Sequence, residues 1–162
     1  MRFATIALVL LPASLPGQSL PAQYRGLVDS LSLAVSARPE SLLYQRPDQE
    51  QAVAGMSVLG DFNPETKAMR LSPSASRPRW RLAHEFGHLL QFTNQSIFFD
   101  WLDLTGHATA DRADLERFAD DFADTFEALA SGDLKAATHG RRAVIAAYLR
   151  AREPFLADVS IR

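Results

Sequence analysis

Arg79-Trp80-Arg81-Leu82-Ala83-His84-Glu85-Phe86-Gly87-His88-Leu89-Leu90 is the stretch from which the rest of the chain is read. It contains His-Glu-x-x-His. On a helix, residues four apart lie one above the other, so the imidazoles of His84 and His88 can hold a single metal ion. Imidazole nitrogen suits zinc, which accepts tetrahedral geometry and brings no redox chemistry. Glu85, about 100° round the helix, flanks the ligand face and can serve as a base toward water on the metal. Leu82, Ala83, Phe86, Leu89, Leu90 and Thr93 project to the opposite face, so one side of this helix packs into a core while the other presents ligands. Pro78 fits the first turn, with Ser76 or Arg77 at the cap position.

Composition narrows the field around this motif. A net charge of −2 gives no basic footprint for nucleic acid. The chain has no cysteine, which removes thiolate zinc sites, disulfides and thiol catalysis together. Phe3 to Leu11 is an unbroken apolar run behind Arg2 and ahead of Pro12, too short to span a bilayer and of the length of a secretory leader. Gly17-Gln18-Ser19 puts small residues where a cut after Ser19 needs them. Residues 1–19 are therefore expected to be a signal peptide and 20–162 a single domain, secreted or periplasmic, with no membrane association after cleavage.

Upstream of the motif, Tyr24 to Ala37 has the period of an amphipathic helix, with Tyr24, Leu27, Val28, Leu31, Ala34 and Val35 on one face, ended by Arg38-Pro39. Ser41 to Gln51 reads as a polar connection. Ala52 to Gly60 reads as a strand, Asp61 to Lys67 as a turn around Asn63-Pro64, and Ala68 to Ser72 as the returning strand. Downstream, Thr93 to Ala110 lacks a clear period. Its apolar knot, Ile97-Phe98-Phe99-Asp100-Trp101-Leu102, is expected to plug the core rather than wall a substrate pocket. Asp111 to Ala130 is a second patterned helix with Leu115, Phe118, Phe122, Phe126 and Leu129 on one face, Thr109 or Asp111 as cap and Ser131-Gly132 at its end. Asp133 can cap a last helix reaching about Arg152, with Val144, Tyr148 and Leu149 partly buried. The fold class expected is α+β: a helix, a β-hairpin or small sheet, the His-Glu-x-x-His helix, a glutamate-bearing helix and a C-terminal helix.

Two histidines leave a catalytic zinc site short of one protein ligand. Gln91 and Asn94 stand where an extended three-histidine motif would place glycine and histidine. Asp100, Asp103, His107, Asp111, Asp114 and Glu116 are candidates. Glu116 is favoured: it lies on a long helix, Ala119 and Ala123 beside it allow close approach to the motif helix, and Asp120 one turn on can accept a hydrogen bond from a ligand histidine. His107 is the rival, on a segment that reads as a loop.

His84-Glu85-Phe86-Gly87-His88 followed by Glu116-Arg117-Phe118-Ala119-Asp120-Asp121-Phe122-Ala123 resembles the two motifs of ImmA/IrrE-type metallopeptidases, small gluzincins with Glu-x-x-Ala-x-x-Phe-Ala on the second helix. The resemblance covers roughly residues 25–130. It implies a gluzincin-like domain with His84, His88 and Glu116 as zinc ligands, Glu85 as base and Asp120 at the position of the gluzincin aspartate.

The expectation that follows is a secreted endopeptidase with one zinc ion per chain, acting on a peptide or protein by a zinc-activated water with Glu85 as general base. His107, His139, Tyr148 and Tyr44 are candidate donors to the oxyanion. An edge within 52–60 or 68–72 is the candidate for binding an extended substrate. Two other classes remain: a zinc-binding module without catalysis, against which the intact Glu85 speaks, and a helical binding domain whose motif is accidental.

Overall fold

The computed structural model describes residues 18–44, 60–72, 75–107 and 109–152. The expected leader, apart from Gln18 and Ser19, and the strand expected over 52–60, apart from Gly60, lie outside these residues. The fold is mixed α+β and mostly helical. In chain order come β1 (Gln18–Ser19), a 3-10 turn (Ala22–Tyr24), α1 (Arg25–Val35), β2 (Ser41–Tyr44), β3 (Gly60–Asn63) and β4 (Ala68–Leu71). Then follow α2 (Pro78–Thr93), α3 (Gln95–Asp103), α4 (Arg112–Ala130), α5 (Leu134–Ala137) and α6 (Arg142–Arg150).

The strands form one small sheet in the order β1-β2-β4-β3. β3 and β4 are the expected hairpin, shifted by three residues: Asp61, Phe62 and Asn63 belong to the strand, and the turn is only Pro64 to Lys67. Asn63 shortens it from within. Its Oδ1 accepts from the backbone N–H groups of Glu65 at 2.9 Å and Thr66 at 3.0 Å, a side-chain turn that Asn makes readily.

β2 corrects a second expectation. Ser41 to Tyr44 is not part of a polar connection. It pairs in parallel with β4, Leu42 opposite Met69 and Tyr44 opposite Leu71, and carries β1 on its other side. Leu42-Leu43-Tyr44 is too short a run to declare itself, and its partner lies far along the chain. This pairing also makes β4 an interior strand, so residues 68–71 offer no free edge; among the described residues β3 is the outer strand on that side.

α2 is the middle of the molecule, with β3 and β4 on one side and α4 on the other. Leu82, Ala83, Phe86, Leu89 and Leu90 are buried as its period requires, whereas Thr93 is exposed and turns its hydroxyl back to the Leu89 carbonyl at 2.8 Å. α3 is the plug. Phe98 and Trp101 pack edge-on against Phe118 of α4, with centroids 5.4 and 5.5 Å away. Each fully buried ring of this kind contributes about 1.5–3 kcal/mol relative to exposure.

α4 begins at a reciprocal cap: Asp111 accepts from Asp114 N at 2.8 Å, and Asp114 accepts from Asp111 N. Its end is set by Gly132 at φ 77°, a conformation glycine adopts without a Cβ penalty. The single C-terminal helix expected after Asp133 is two. Asp133 caps only the four-residue α5, and Gly140 at φ 58° breaks the path before α6 starts at Arg142. Among the described residues no helix is long and apolar enough to cross a membrane.

Candidate metal centre

The centre depends on how closely α2 and α4 approach. A Cβ built on Gly87 would lie 2.8 Å from the Cα of Ala119 and 3.2 Å from the Cβ of Phe122. Glycine at 87 and alanine at 119 therefore let the two backbones touch, and the ligands of one helix reach those of the other. Ala119 is readable as small in the sequence. Gly87 lies inside the motif, where its role as a contact was missed.

His84, His88 and Glu116 converge here and form a group that could hold a metal ion. His84 Nε2 and His88 Nε2 are 3.2 Å apart; Glu116 Oε2 is 3.4 Å from the first and 3.7 Å from the second. Ligands about 2.0–2.1 Å from a tetrahedral ion stand about 3.3 Å from one another. The triangle is within a few tenths of an ångström of that spacing, so the residues fit a four-coordinate ion with one position left over.

The tautomers agree. His84 Nδ1–H donates to Asp120 Oδ1 at 2.8 Å, and His88 Nδ1–H donates to Gln91 Oε1 at 2.9 Å. Gln91 is held in that orientation because its Nε2 donates to the Leu115 carbonyl at 2.7 Å. In the neutral form of each ring the proton then sits on Nδ1, and the Nε2 lone pair faces the centre. Gln91 escaped the sequence reading, although its place three residues after His88 on a helix is the signal that would have found it.

Burial grades the site: His84 and Glu85 are buried, His88 is partly so, and Glu116 and Asp120 are half-exposed. Burial alone would lower the His84 pKa. The hydrogen bonds to Asp120 and Glu116 outweigh it and push the group from 6.5 up to about 9 in the metal-free chain. The same contacts with His84 and His88 hold the Glu116 carboxyl well below its usual range. Glu85 is not a member of the cluster. Burial pushes its carboxyl up to about 7, against the nearby charges of His84, His88 and Arg81. A Cβ at Gly60 would meet Glu85 Oε1 at 2.6 Å and the Arg81 stem at 3.0 Å, so β3 lies directly against the glutamate.

The other candidate residues lie elsewhere. His107 is not in the cluster; its Nδ1 meets Asp114 Oδ2 at 3.0 Å, a contact that holds the buried Asp114 carboxyl below its usual range. His139 is exposed in the turn between α5 and α6. The Tyr148 hydroxyl lies 3.5 Å from the Val35 carbonyl at the end of α1, and Tyr44 sits in interior strand β2. Asp100 and Asp103 are exposed on α3, and Asp111 is spent on the α4 cap.

No family model, no curated protein and no solved structure matches this chain.

Proposed function

We propose that this chain is a zinc-dependent endopeptidase of the ImmA/IrrE type, exported after loss of an N-terminal leader. The reading rests on two imidazole nitrogens and a carboxylate oxygen facing one another at 3.2–3.7 Å, beside a buried glutamate that is not one of them. A donor set of two neutral imidazoles and one carboxylate, with no thiolate, is that of hydrolytic zinc. Bound zinc would polarise a peptide carbonyl and make a water molecule more acidic.

The chain's own residues supply the rest. Glu85 follows His84 directly and lies buried against β3 at Gly60, beside the ligand cluster, where its carboxylate can take a proton from water and pass it to the departing amine nitrogen. Burial raises the Glu85 carboxyl to about 7, against the lowering by His84, His88 and Arg81, toward the range that suits a general base. Asp120 and Gln91 keep both imidazoles in one tautomer. The outer edge of β3 offers backbone groups not used by the sheet among the described residues, on which an extended peptide can pair.

Purified protein is expected to hold about one zinc per chain. Glu85→Gln is expected to keep that zinc and to lose peptide hydrolysis by about 10²–10⁴-fold, as removal of a general base does. Metal analysis and a peptide-library digest check both; an active Glu85→Gln protein overturns the mechanism, and a metal-free wild type overturns the centre. Export rests on the apolar run Phe3 to Leu11. N-terminal sequencing of secreted material is expected to start near Leu20, a cut that takes the two-residue β1 off the sheet and leaves β2 at its edge among the described residues, and a soluble cytoplasmic protein retaining Met1 would remove that part of the proposal.

A further inference from the structure

Phe92 lies one turn beyond His88 on α2, about 6 Å further along the helix axis. Leu82, Phe86, Leu89 and Leu90 of the same helix are buried, yet Phe92 is 48% exposed. Phe62 of β3 stands beside it, ring centroids 5.7 Å apart and planes tilted by 45°. Strand alternation puts Gly60 and Phe62 on one face, and Gly60 is the residue pressed against Glu85. β3 therefore runs along α2 from the general base toward Phe92, and Phe62 lies about 7 Å down the strand from the base. Phe92, backed by the partly buried Phe62, thus leaves aromatic surface open beside β3, the outer strand among the described residues, next to the reacting groups.

We propose that Phe62 and Phe92 form a subsite that selects a large apolar side chain in the substrate. The proposal rests on the peptidase reading. A peptide paired antiparallel to β3, the stronger ladder, runs from Phe62 toward Gly60. The selected side chain then lies within about two residues on the N-terminal side of the bond that is cut. Burying such a side chain against the two rings supplies affinity, while the edge strand holds the backbone in register.

Cleavage sites in a peptide library, mapped by mass spectrometry, are expected to show leucine, phenylalanine or methionine at one of those two positions. With a matched pair of peptides, leucine against serine there, Phe92→Ala is expected to lower kcat/KM for the leucine peptide by about tenfold or more. Zinc content should stay unchanged, the loss on the serine peptide should be smaller than on the leucine peptide, and Phe92→Leu should restore the preference. Binding of the same labelled peptides to metal-free protein, read by fluorescence anisotropy, gives a readout independent of catalysis: wild type should favour leucine and Phe92→Ala should not. Cleavage without an apolar preference, a preference that survives Phe92→Ala, or a dimer that Phe92→Ala splits overturns the subsite and leaves the peptidase reading standing. Absence of cleavage with a leucine preference that Phe92→Ala removes overturns the peptidase reading and leaves the apolar groove. Absence of both overturns both.

Discussion

Gln91 shows how much of a candidate metal site lies outside the residues that would hold the ion. Its amide is pinned by the Leu115 carbonyl, so its oxygen faces His88 Nδ1, and a proton there would leave Nε2 free for a metal ion. Asp120 does the same for His84 with a charged acceptor. Asp120→Ala and Gln91→Leu are each expected to weaken zinc affinity by about 10–100-fold, with helix content unchanged by circular dichroism. Competition with a chelating dye measures it; an unaffected affinity in either variant would mean that partner is decorative. The placement of His84 and His88 on one face of α2 was legible in the sequence because motif and helical period coincide. Glu116 and Asp120 were legible because a rigid helix and small neighbours favoured them over His107. Gln91 was not, because it drew notice only as the residue that broke a different motif.

The pairing of α2 with α4 carries the site's precision. Nothing but hydrogen at Gly87 fits against the Ala119 backbone, where an added Cβ would stand 2.8 Å from a Cα. Gly87→Ala is expected to destabilise the fold by about 1–3 kcal/mol through overpacking, measured by urea unfolding. It should also weaken zinc binding, because the helix that retreats carries Glu116 away from both histidines. Unaltered stability and affinity would show that the helices can slide apart freely. The periods of α1, α2 and α4 could be read because each buries one face of a long helix. β2 and the break at Gly140 could not: a four-residue strand is defined by its partner, and Gly140 interrupts an otherwise helical composition with a single left-handed residue.

Across the whole molecule, the centre ties stability to pH. The folded metal-free chain holds His84 at about 9, above its ordinary 6.5, so that contribution is complete below pH 6.5 and is lost as pH rises through about 9. The depressed Glu116 contributes above its ordinary 4.5 and loses that as pH falls. Glu85, raised from 4.5 to about 7, costs stability as pH climbs through that interval. Thermal unfolding in a chelator is therefore expected to show its highest midpoint between pH 4.5 and 6.5 and a decline toward pH 9, and added zinc should abolish the decline. A chelated protein that gains stability from pH 6 to 9 would contradict this linkage. The spacing of the three ligand atoms has one more consequence. The triangle is set by the packing of α2 on α4, with Gly87 against Ala119, and nothing in that spacing singles out one divalent ion. Two imidazoles and a carboxylate follow the general affinity order of divalent ions, in which copper outranks zinc. The ion recovered with the protein would then record which metal was plentiful where the chain folded, and less what the site prefers.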